Sequence, residues 1–168
     1  NNKNESTLAA RLRNERAFSL LMTADAAAQL VKDGMTIGVS GFTPSGYPKA
    51  VPLALAERAK KGDKFKVDLY TGASVGPEID SAWTEAGIIR RRFPYQTNAS
   101  LRKDINGGKV AYADMHLSQC AQLISSGALK PVDIAIVEAL CRSAEADGCK
   151  SPKAPDSRST ELNSSINL

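Results

Sequence analysis

A chain of 168 residues with 42% hydrophobic and 24% charged side chains is long enough to bury one domain core and too short for two full ones. No apolar run reaches the ~20 residues that cross a bilayer, and Asn1 to Thr7 is polar where a secretory leader would be apolar, so no membrane is expected as a partner and the expected location is cytoplasmic. The net charge is +4, and the three cysteines, Cys120, Cys141 and Cys149, lack metal-ligand spacing and suit reduced thiols better than a disulfide framework.

In chain order, residues 1–22 read as a polar N-terminal arm. Thr23 is a plausible N-cap for an amphipathic helix carrying Ala24, Ala27, Ala28, Leu30 and Val31, which Gly34 ends at a C-cap position. Met35 to Val39 reads as a buried parallel strand, and Pro52 to Lys61 as a helix with Leu55, Ala56 and Ala59 on one face. Lys66 to Thr71 alternates charged and apolar residues, which predicts a strand with one buried face. Pro77 and Glu78 open a helix closed by Gly87, and Ile88 to Phe93 reads as a third strand. A helix over 100–106, a strand over 109–113, a helix over 117–125 and a last strand over 132–137 complete the pattern. Such alternation predicts an α/β fold, an open, mostly parallel sheet with helices on both faces. The domain would span 23–141. Residues 142–168 hold only Leu162, Ile166 and Leu168 among Leu, Ile, Val and Phe, too little apolar surface to offset ordering entropy, so a disordered tail is expected.

The stretch Ser40-Gly41-Phe42-Thr43-Pro44-Ser45-Gly46-Tyr47-Pro48-Lys49 joins the first strand to a helix N-terminus. Open α/β sheets place ligands at such a junction, because unpaired N–H groups and the helix dipole favour negative charge there. Gly41 to Gly46 therefore form a first candidate site, although the same glycines suit a plain tight connection. They do not make a nucleotide P-loop, since Tyr47 and Pro48 separate Gly46 from Lys49 and Ala50 has no hydroxyl. The loops at Ser74 and Thr97 also follow strands, so all three would line one crevice. Arg90-Arg91-Arg92 is the densest basic cluster, with only Phe93 and Tyr95 nearby and no nucleic-acid motif. It reads as a solvated charged edge or as an attractor of an anionic ligand, and nucleic acid is not an expected partner.

The string from Ser40 to Pro52 resembles the opening signature of the acetyl-CoA hydrolase/transferase family, which includes succinyl-CoA:coenzyme A transferases acting with acetate or propionate. Tyr70-Thr71-Gly72-Ala73-Ser74-Val75-Gly76, Arg92-Phe93-Pro94-Tyr95-Gln96-Thr97-Asn98 and Tyr112-Ala113-Asp114-Met115-His116-Leu117-Ser118 resemble the same family in the same order, and the resemblance runs from about Thr23 to Leu140. It implies a CoA-transferase-like N-terminal domain that handles an acyl-CoA and a carboxylate, with coenzyme A as a substrate and no tightly bound cofactor. By that resemblance Ser74 and Thr97 match hydroxyls lining the acyl or carboxylate pocket, and Gly41, Phe42, Thr43, Pro44, Ser45 and Gly46 form its wall. The family's nucleophilic glutamate belongs to its second half, which has no counterpart here. The resemblance thus implies a chain inactive by itself, and no catalytic residue is assigned to it. A non-catalytic binding or assembly module, as a homo-oligomer or beside a separate C-terminal partner, is the alternative reading; acetyl-CoA hydrolysis is another. Glu78 at a helix start is expected to be held by the dipole, Glu138 by a salt link, and the lone His116 to act as a cap.

Overall fold

The computed structural model describes residues 19–42 and 45–138. Thr43, Pro44, the tail expected over 142–168 and most of the arm expected over 1–22 lie outside the described residues.

Helix α1 (Ala24–Leu30) opens at Thr23, whose side chain accepts from the Ala26 N–H at 3.1 Å. Strand β1 (Thr36–Val39) leads to α2 (Ala50–Lys60), then β2 (Val67–Thr71), α3 (Asp80–Glu85) and β3 (Ile89–Phe93). Helix α4 (Ala99–Asn106), β4 (Ala111–Tyr112), α5 (Leu117–Ser125) and β5 (Ile134–Ile136) follow. The strands form one sheet in the order β4-β3-β2-β1-β5, and every pairing is parallel.

That order fixes where the helices lie. From β1 to β4 each connection steps one place in the same direction, so right-handed crossovers put α2, α3 and α4 on one face. The connection from β4 back to β5 reverses direction and carries α5 to the other face. Under α2 to α4, Ile37 and Leu69 pack with Leu55, Ile79, Trp83 and Leu101 in one buried cluster. Trp83 is wholly enclosed and donates its indole N–H to the Pro52 carbonyl at 2.9 Å, tying α3 to α2.

Four expectations need correction. Helix α1 ends at Leu30, before Gly34, because the Arg58 guanidinium bonds the Ala28 and Val31 carbonyls and does the work assigned to a glycine cap. Gly34 serves a turn instead, at φ +78°. Strand β2 is buried at every residue, on both faces: Asp68 is neutralised by a two-pronged contact from Arg90 at 2.8 and 2.7 Å, and Tyr70 packs edge-on to Phe93 at 5.5 Å. The arginine cluster is therefore not one solvated edge, since Arg90 is paired with Asp68 and Arg92 is buried against Asp80. The last strand is shorter than expected, because Asp133 precedes it with its carboxylate on the Thr36 N–H at 2.7 Å, a side chain doing the pairing of a ladder carbonyl.

Candidate functional site

The order of strand addition reverses at β1, with β2 on one side of it and β5 on the other, and the crevice outside the carboxyl ends of β1 and β5 is where such folds bind ligands. Ser40, just past β1, donates its hydroxyl to the Gly46 carbonyl at 3.0 Å and accepts from the Glu138 N–H at 3.0 Å. This stitches the signature loop to the end of β5. Lys49 adds a salt bridge to Glu138 at 3.2 Å and lies over the Tyr47 ring, 4.3 Å from its centre.

Gly41 brings this loop against the next one. It holds φ +138°, and a Cβ there would stand 2.7 Å from the Tyr47 Cβ; a Cβ on Gly72 would stand 2.8 Å from the Gly41 carbonyl oxygen. Phe42 and Ser45 exchange backbone hydrogen bonds of 2.9 and 3.2 Å, and Phe42 is 68% exposed. Gly46, at φ +68°, is exposed, and Thr43 and Pro44 lie outside the described residues. Tyr47 turns inward across Gly76 and donates its hydroxyl to Glu78 at 2.6 Å. Burial first, and then the Glu78 carboxylate, push the Tyr47 phenol up to about 12.

The loops after β2 and β3 bring the two hydroxyl residues together. Ser74 Oγ and Thr97 Oγ1 are 2.6 Å apart, and the Thr97 N–H reaches Ser74 Oγ at 3.3 Å. Ser74 is buried and Thr97 exposed, so the pair runs from the interior to the surface. Asn98 caps α4 by accepting from the Leu101 N–H at 3.0 Å, which fixes where Thr97 leaves the loop. A hydroxyl pair of this kind can donate to a carboxylate or a carbonyl oxygen; among the described residues neither member is hydrogen-bonded to a base that would make it a nucleophile.

On the other face an apolar cavity of about 430 Å³ lies between α5 and the sheet, lined by Gly38, Tyr70, Leu117, Cys120, Ile124 and Ala135 among others. Burial pushes the Cys120 thiol up, which keeps it protonated and a poor nucleophile. His116 caps α5, its Nδ1 2.7 Å from the Ser118 hydroxyl, and Glu78 and Glu138 are both engaged as described. Among the described residues no group of three or more His, Cys, Asp and Glu side chains could hold a metal ion.

Two features escape sequence reading. The Tyr47 cover could have been suspected from Gly41, Gly72 and Gly76, whose missing side chains mark close approach. The other is Arg92, which pairs with Leu69 across the sheet in a row of core residues. In the sequence it is one of three adjacent arginines; strand parity separates it from Arg91, and the register shift opposite Val67 and Asp68 separates it from Arg90.

Residues 7–149 match the family described as the acetyl-CoA hydrolase/transferase N-terminal domain. The chain belongs to that family. The match extends past both ends of the 23–140 stretch in which the resemblance is legible by eye. Among curated relatives of this family, the chain is 51% identical over 138 residues to a succinyl-CoA:acetate CoA-transferase of Clostridium kluyveri, covering 82% of this chain and 26% of that protein. It is 40% identical over 122 residues to a propanoyl-CoA:succinate CoA transferase of Escherichia coli, covering 70% and 25% respectively. It is 36% identical over 146 residues to an acetyl-CoA hydrolase of Schizosaccharomyces pombe, covering 80% and 28%. The chain thus spans about a quarter of the length of these family members. An acyl-CoA transferase of Escherichia coli O157:H7 shares the fold with a TM-score of 0.57 at 14% identity, covering 64% of this chain and 22% of that one; a second structure of that enzyme is described as a thioester complex with CoA.

Proposed function

We propose that this chain supplies the N-terminal part of a CoA-transferase that moves coenzyme A between a short acyl-CoA, such as succinyl-, acetyl- or propionyl-CoA, and a carboxylate. The observation that carries this reading is the 2.6 Å contact between Ser74 and Thr97 at the carboxyl edge of a parallel sheet. Two hydroxyls there would orient the acyl or acceptor carboxylate, with the Gly41 to Gly46 loop as the wall of the entry. The CoA-transferase and hydrolase names of relatives at 36–51% identity support it.

In this reading the nucleophile is a glutamate outside the chain. Its carboxylate attacks the thioester carbonyl and expels the coenzyme A thiolate, leaving a mixed anhydride; the thiolate then attacks the glutamyl carbonyl and releases the acyl group as a carboxylate. The chain alone would bind and not turn over. Calorimetry with succinyl-CoA, run beside a thioester-exchange assay with acetate, tests this. Binding without exchange, weakened by Ser74→Ala, is the expected result. Exchange by the purified chain would refute the division of labour, and absence of binding would refute the half-site.

A second reading, an assembly module, is favoured by β5, a three-residue strand that pairs only with β1 among the described residues. An open strand edge invites pairing with another chain, either a second copy or a separate C-terminal partner. Light scattering on the purified chain separates the two readings: a concentration-independent dimer without succinyl-CoA binding would favour assembly.

A further inference from the structure

Asp80 and Arg92 form the one ion pair among the described residues whose two side chains are both wholly removed from water. Arg92 Nε and Nη2 lie 3.1 and 3.4 Å from the Asp80 carboxylate oxygens. Removing two charges from water costs several kcal/mol per ion, and an apolar pair of the same volume usually serves a core as well or better. Stability is therefore a weak explanation for the pair. What it touches supplies a better one.

Arg92 Nη1 donates to the Phe93 carbonyl at 2.8 Å, where the chain leaves β3 for the Thr97 loop. Its Nη2 reaches the Ala73 carbonyl at 3.5 Å, and that same carbonyl accepts from the Thr71 hydroxyl at 2.6 Å. The Val75 N–H in turn favours the charged form of the Asp80 carboxylate, opposing the effect of its burial. The residues on both sides of Ser74 are thus tied to one buried pair, and so is the root of the loop that ends in Thr97. The fork of a guanidinium makes this possible, since its five donors lie in one rigid plane.

We infer that Asp80 and Arg92 are positioning residues, a buried clamp that holds the Ser74 and Thr97 loops at the separation at which their hydroxyls meet. Where that hydroxyl pair is placed as a carboxylate site, the inference rests on the function proposed above; the clamp itself rests on the contacts alone. Arg92 touches neither hydroxyl and acts through the backbone. It is not a catalytic residue.

The test uses the 168-residue chain and amide hydrogen exchange read residue by residue. Asp80→Leu combined with Arg92→Met replaces the pair by apolar side chains that suit the core. The expected result is a folded protein in which protection of the Thr97 N–H, donated to Ser74, falls at least tenfold while Ile37 and Leu69 keep theirs. Arg92→Lys is the second variant, which retains a charge beside Asp80 but not the fork, and it should show the same local loss. Thr97 protection at the wild-type level in either folded variant would overturn the clamp. So would an equal fall at Thr97, Ile37 and Leu69, which is the pattern of a pair that only stabilises. Succinyl-CoA binding, measured in parallel, should weaken at least tenfold in both variants; if the wild-type chain does not bind it, the coenzyme A reading fails and the exchange pattern still decides the clamp.

Discussion

Replacing Gly76 by alanine asks whether Tyr47 is held by the loop that it covers. A Cβ at position 76 would lie 2.0 Å from the Tyr47 hydroxyl oxygen, 2.1 Å from Cζ and 2.7 Å from Cε2, so the ring cannot stay. Tyr47 is 4% exposed, and its displacement forfeits the burial of a large side chain, about 1.5–3 kcal/mol. It also forfeits the bond to the Glu78 carboxylate, about 1.5–3 kcal/mol for a charged acceptor. Against these losses, alanine restricts the unfolded chain and returns up to about 1 kcal/mol. The net expectation is a destabilisation of about 2–6 kcal/mol, read by urea denaturation followed by circular dichroism. In a Tyr47→Ala background the steric cause is gone, and Gly76→Ala should then cost less than about 0.5 kcal/mol. An equal cost in both backgrounds would refute the reasoning, because the penalty would then belong to the backbone at position 76 and not to its contact with Tyr47.

Three other outcomes follow from single contacts. The Tyr47 phenol, raised to about 12 by burial and by Glu78, contributes stability that is full below pH 10 and lost as pH rises through 12; the tyrosinate absorbance missing from Tyr47→Phe should appear in that window, and Glu78→Gln should move it down. Asp133 is held below the usual carboxylate range by the Thr36 N–H and then by Lys130, so it adds stability above about pH 4 that is lost on further acidification. Acid unfolding of Asp133→Asn should lack that component and otherwise follow the wild type. Trp83→Phe takes a donor from the Pro52 carbonyl and leaves part of a closed site empty, an expected loss of about 1–3 kcal/mol. Because Trp83 is the only tryptophan, the melt should be followed by circular dichroism.

The alternation of strands and helices was legible because apolar periodicity and the glycines between elements act locally. Helix α5 appears over the range its pattern predicts, Leu117–Ser125, and Thr23 caps where its hydroxyl implies. What escaped reading depends on partners distant in sequence. Arg58 ends α1 from nearly thirty residues away, so no local signal distinguishes it from the other basic residues of α2. Asp68 looked like the polar side of a half-buried strand because its neutralising partner, Arg90, stands on the next strand. The candidate hydroxyls, Ser74 and Thr97, were each legible as loop residues beyond a strand. Their meeting at 2.6 Å depends on the adjacent positions of β2 and β3 and on the buried pair beneath them.

The carboxylates at the edge of the sheet bear on how the reaction would be divided. A nucleophilic glutamate must be free to swing its carboxylate onto a thioester carbon. Glu78 accepts from the Tyr47 hydroxyl at 2.6 Å, and Glu138 accepts from Lys49 at 3.2 Å while its own N–H is bound by Ser40. Each is employed in fastening the signature loop, Glu78 to the Ser74 loop and Glu138 to the end of β5. Freeing either for attack would release the wall that the same loop is proposed to form. The hydroxyl pair carries no such conflict, because Thr97 is exposed and Ser74 retains capacity to donate or accept beside it. A hydroxyl pair that reaches the surface at Thr97 and carboxylates engaged in fastening a loop are what a chain would carry if it holds a substrate for a nucleophile contributed from elsewhere. Glu78→Gln and Glu138→Gln should accordingly loosen the loop and weaken succinyl-CoA binding together. Loss of thioester exchange in either variant, from a chain that showed exchange, would place the nucleophile inside these residues and reverse the argument.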